Sequence, residues 1–161
     1  MIVIEDILEK VVNGLSEVNL GDNRVQFPVF GWGNKDELNR YLEEHQDKSY
    51  PLIWLMPNNK NYSVKRVSQR SEFIIAVNHT KEEIDLMNDQ RMDLVFKTIL
   101  YPLMENFLKG INQSRNATFD NTGFDVFDYP NYKTSGDNDV VHLWDALTLT
   151  IDATYLNNCK S

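Results

Sequence analysis

The sequence predicts a single α+β domain in which a mixed, mainly antiparallel sheet packs against a long helix and an N-terminal helix. Three observations carry this. Residues 52–56 and 73–77 are apolar throughout, as strands at the covered centre of a sheet are. Residues 141–155 alternate apolar and polar through their second half, the period of a strand with two unlike faces. Met92, Val95, Phe96, Ile99, Leu100, Leu103, Phe107 and Ile111 recur at helical spacing, a stripe wide enough to cover such a sheet. At 161 residues the chain fits one domain spanning 1–161 and can bury a core without covalent staples.

The elements follow in order. Residues 2–15 place Ile4, Ile7, Leu8, Val11, Val12 and Leu15 on one stripe, with Glu5, Asp6, Glu9 and Lys10 opposite. That is an amphipathic helix with acids in its first turns, where the helix dipole favours them. Gly14 and residues 19–23 end it. Residues 24–30 read as one short strand, at an edge because of Pro28. Gly31-Trp32-Gly33 reads as a turn, and Asn34 with Glu37 as a reciprocal cap opening a helix to about His45. Between the two apolar strands, residues 58–70 are polar and carry Lys60, Tyr62, Lys65, Arg66 and Arg70, forming either a projecting hairpin or a mobile loop.

Thr80 and Glu83 form a second capping box, ahead of a helical pattern over 84–110. Pro102 interrupts it, lacking an N–H and crowding the carbonyl four residues back, so a kink near 98–100 or two helices is expected. Gly110 is the expected stop. Residues 112–139 read as a long acidic loop region holding one possible strand at 123–129, with Phe124, Val126 and Asp128 on one face. In the last strand Leu147, Leu149, Ile151, Ala153 and Tyr155 share a face. Asp145 falls on that apolar face, which predicts a bulge or bend. Residues 156–161 form a polar tail.

Sixteen Lys and Arg against 24 Asp and Glu give a net charge of −8. That excludes a surface built wholly to grip nucleic acid or an anionic membrane. Cys159, the one cysteine, excludes an intrachain disulfide and a Cys-based zinc site. No secretory signal and no span of roughly 20 apolar residues occurs, so the expected compartment is the cytosol or a particle assembled there.

Chemistry is sought and mostly rejected. His45, His79 and His142 share no ligand spacing, and a strand sends His142 and Asp145 to opposite faces. Asp89 and Asp93 share a helix face beside Arg91 and Lys97 and read as solvated. Nucleophile elbow, P-loop, dinucleotide fingerprint and the Glu-x-Lys or Asp-x-Lys of metal nucleases are all missing. The expectation is a protein without catalytic, metal-binding or cofactor-binding residues. The aromatics Trp32, Tyr62, Tyr129 and Tyr132 lie in expected loops, as core plugs or as contacts. Lys60, Lys65, Arg66 and Arg70 are either solvated charges or a basic tip meeting an acidic neighbour or transient DNA. These eight are the candidate interface.

The order of elements, with residues 27–39 (Phe-Pro-Val-Phe-Gly-Trp-Gly-Asn-Lys-Asp-Glu-Leu-Asn) and 50–57 (Tyr-Pro-Leu-Ile-Trp-Leu-Met-Pro), resembles the tail terminator proteins of long-tailed phages. It is also similar to neck and tail-completion proteins of crAss-like phages. The acidic segment at 117–139 is longer than such a fold requires. The resemblance implies a structural virion protein, a homo-oligomer forming a hexameric ring at the head-to-tail junction. Its partners would be the tail tube and neck proteins, with DNA passing through the lumen unbound and no membrane contact. A single-domain protein-binding adaptor and a small metal nuclease are the alternatives.

Overall fold

The computed structural model describes residues 3–21, 23–78, 88–133 and 143–156. The first helix, α1 (Ile4–Asn13), buries Ile4, Ile7, Leu8 and Val12 and carries Glu5 and Asp6 in its first turn. The single strand expected over 24–30 is two. β2 (Val25–Gln26) makes a small antiparallel ribbon with β1 (Val18–Asn19), and β3 (Val29–Trp32) joins the main sheet. Pro28 lies at the break, where it has no N–H to give to either ladder. Gly31 and Trp32 therefore belong to a strand, not to a turn.

Asn34 and Glu37 cap α2 (Lys35–His45) as expected: the Glu37 N–H donates to Asn34 Oδ1 at 2.9 Å, and the Asn34 N–H to Glu37 Oε2 at 2.6 Å. A short 3₁₀ turn (Gln46–Ser49) and a cis Tyr50–Pro51 bond lead into β4 (Leu52–Met56). β5 (Lys60–Tyr62) turns back into β6 (Arg66–Asn78), so residues 58–70 form a hairpin whose second arm is the start of a thirteen-residue strand. β6 pairs with the fourteen-residue β9 (Leu143–Leu156) from Arg66↔Leu156 to Asn78↔Trp144 without a register break. On the far side of β9 lie β7 (Ala117–Phe119) and β8 (Asp125–Lys133).

Read across, the main sheet has five columns: β3, then β4 continued by β5, then β6, β9, and finally β7 continued by β8. All pairings are antiparallel except β3 with β4. The acidic loop region expected over 112–139 thus holds an edge column at 117–119 and 125–133, because Ala117, Phe119, Val126 and Phe127 supply strand residues for β9 to pair with. The register shift lies in this column, in β8 between Tyr129 and Tyr132, which pair with Ala146 and Trp144, so the irregularity falls opposite Asp145, where a bulge is expected.

Helix covers one face. The short α3 (Asn88–Arg91) runs into a π-helical stretch (Met92–Leu100), then α4 (Tyr101–Gln113). The backbone stays helical through Leu100 and Tyr101. Near Pro102 the helix widens: the Tyr101 N–H donates to the Phe96 carbonyl, five residues back, and the Thr98 hydroxyl to the Asp93 carbonyl at 2.6 Å. Such widening relieves the crowding and the missing donor that a proline imposes on the preceding turn. Gly110 does not stop the helix. A Cβ there would lie 2.8 Å from Val11 Cγ1, so this glycine lets α4 approach α1 closely.

Ile4, Leu8, Phe96, Leu103 and Phe107 pack on Phe73, Ile75, Leu147, Leu149 and Ile151. Among the described residues the opposite face is covered only in part, where Leu38 and Leu42 of α2, with Tyr50, rest on Leu52, Trp54, Ile74, Ala76 and Ala146. The capping box at 80–83, with His79, His142 and Cys159, lies outside the described residues.

Candidate interaction surfaces

Past the reach of α2, no helix among the described residues covers the second face of the sheet. Cross-strand partners share a face, so Arg66, Ser68, Arg70 and Glu72 of β6 lie beside Thr148, Thr150, Asp152 and Thr154 of β9. Thr118, Asp125, Phe127 and Tyr129 complete the outer column. Phe127 is 59% exposed and stacks on Tyr129 at 4.4 Å between ring centroids. Arg70 spans the face, 2.9 Å from Asp125 and 3.8 Å from Asp152. All three are solvated, so these pairs add about 0–1 kcal/mol each. β8 borders the face and pairs only with β9 among the described residues, leaving a strand edge open to another chain.

The eight residues singled out from sequence do not form one patch. Lys60 is tied to Glu5 at 2.8 Å and is half-buried at the hairpin base. Tyr62 is exposed beside Tyr155, whose hydroxyl is pushed up to about 12 by its burial first and by Tyr62 next. Lys65 and Arg66 form the hairpin tip, whereas Arg70 lies on the open face. Tyr129 is on that face too, and Tyr132 stands opposite Trp144 in the same column. Trp32, 59% exposed, ends β3 on the other side of the sheet, near α1.

The glycines around Trp32 have a structural reason. Trp54 donates its Nε1–H to the Gly33 carbonyl at 2.8 Å, and a Cβ on Gly31 would lie 2.4 Å from the Trp54 ring. Gly33 has φ of +145°, and a Cβ there would strike the Glu37 cap. A cleft of about 270 Å³ results at the free edge of β3. Its walls include Glu5, Asp6 and Glu9 of α1, with Trp32, Tyr41 and Trp54.

Sequence reading missed the buried ion pair of Arg91 with Asp145. Neither side chain has any exposed surface, and Arg91 Nη1 lies 3.2 and 3.3 Å from the two carboxylate oxygens. Arg91, expected as a solvated charge, is in the core because the strand face above it carries a carboxylate instead of a hydrocarbon. The only signal was Asp145 itself, out of place on an apolar face. Asp93, by contrast, is solvated and pairs with Lys97 at 2.8 Å.

Among the described residues no three His, Cys, Asp or Glu side chains stand where they could hold a metal ion. No helix among them is long and apolar enough to cross a membrane. Comparison with protein-family models and with curated proteins finds no match.

Proposed function

We propose that this protein is a non-enzymatic structural subunit of a bacteriophage head-to-tail connection, one copy of a ring, hexameric by resemblance, that closes the tail tube and joins it to the neck. The observation that carries this reading is the half-open sheet. A sheet face that no helix among the described residues covers, bordered by a strand edge unpaired among them and by exposed Phe127, is suited to cover by a neighbouring subunit. The net charge of −8 adds support, since a lumen that lets DNA slide must not grip phosphate. On this reading the protein resides in the virion neck after assembly in the host cytoplasm.

Size-exclusion chromatography with light scattering, followed by negative-stain imaging, tests it. A closed oligomer with a central channel is the expected result. A monomer at all concentrations, or a heterodimer with a single cellular protein, would replace the ring with the adaptor reading.

A further inference from the structure

We propose that the tip of the β5–β6 hairpin of one copy docks into the α1/β3 cleft of a second copy; this rests on the ring reading and names the contact that would build it. The tip is a preformed finger. The Ser63 N–H and hydroxyl both donate to the Arg66 carbonyl, at 2.8 and 2.9 Å, and the Arg66 N–H donates back to Ser63 Oγ at 3.1 Å. These bonds fix a four-residue turn that thrusts Val64 and Lys65 outward. Val64 is 89% exposed, an aliphatic side chain with almost no cover. A braced turn loses little conformational freedom on docking, which favours association.

The cleft is complementary in both respects. Trp32, half uncovered, offers an apolar wall for Val64. Asp6 and Glu9 offer carboxylates to Lys65 and Arg66, and none of these four has an ion-pair partner among the described residues. An ammonium entering between carboxylates and aromatic rings also gains attraction from the ring faces.

The tip extends away from the Trp32 end of the cleft in its own chain. Trp32 is level with Leu55, which is level with Phe73. Arg66, where the tip begins, is seven residues farther along β6, about 23 Å at strand spacing. The hairpin is held in that direction by the Lys60–Glu5 pair and by β9. A second copy is therefore the occupant that the charge pattern selects.

A charge swap on the full chain tests the contact, with self-association measured by sedimentation at low and high salt. Lys65→Glu and Glu9→Lys alone should each weaken the dissociation constant by about tenfold, as close interfacial charge pairs do. The combined variant should recover most of that loss. Val64→Ser, which changes no charge, should weaken association too, and melting temperatures should stay together because these side chains are exposed. If the wild type associates but the single variants do so equally well, or the swap restores nothing, the docking is wrong and the ring stands. A wild type that remains monomeric overturns both.

Discussion

At Asp145 and Arg91 the core holds two opposite charges with no solvent around either. Removing one member breaks this buried ion pair, so Asp145→Ala should cost about 3–5 kcal/mol in chemical denaturation. Replacing both, as Arg91→Met with Asp145→Leu, should be far milder, because no charge is left buried. Gly31→Ala should cost about 1–3 kcal/mol by driving a methyl into the Trp54 ring. The Tyr101 hydroxyl donates to Asp128 at 2.5 Å, and that bond, with burial, pushes its pKa from 10.0 up to about 12. A raised phenol pKa favours the fold while the proton is bound. The contribution is whole below about pH 10 and is lost as pH climbs through about 12. Tyr101→Phe should therefore flatten the fall in stability across that window, measured by denaturation at stepped pH. A misplaced carboxylate was legible in the alternation around Asp145; its partner, 54 residues away, was not, since only tertiary packing brings a helix cation over a strand.

At the scale of elements, the wide helix and the paired strands β6 and β9 behave as hydrophobic period requires. Phe96→Ala or Ile99→Ala should cost about 2–5 kcal/mol, because both lie in the core beneath the sheet; a loss below about 0.5 kcal/mol at both would overturn the packing. Strict alternation in β9 and the Asn34–Glu37 cap were plain in the sequence because each depends on neighbours a few residues apart. Less was legible where pairing is long-range. β7 and β8 lie in a segment rich in Asp, Asn and Thr, and their apolar residues become strands because β9 supplies the ladder. Gly110 resembled a helix stop, and its purpose shows only once α1 lies against it.

For the whole molecule, the outer β8 edge and the cleft at β3 lie at opposite edges of the sheet, as a subunit with two neighbours needs. Of the site, the basic hairpin was readable from charge alone, whereas the receiving cleft is assembled from α1, β3, α2 and β4 and has no local signature. Phe127→Ser should shift stability by no more than about 0.5 kcal/mol yet lower the assembled fraction in light scattering. The position of β9 carries a further consequence, for the order in which the protein is made. An interior strand of the sheet, β9, comes last among the described elements, and its partner β6 ends 65 positions earlier, at Asn78. Until β9 leaves the ribosome, β6 and the β7–β8 column lack the strand that joins them, so folding of the sheet must wait until residues 143–156 have been made and proceeds at the slow pace of distant strand pairing. A chain cut before Leu143 should then yield no partial domain but exposed apolar strands prone to aggregate, which pulse-labelled synthesis with a protease challenge would reveal as protection arriving only once β9 has been made.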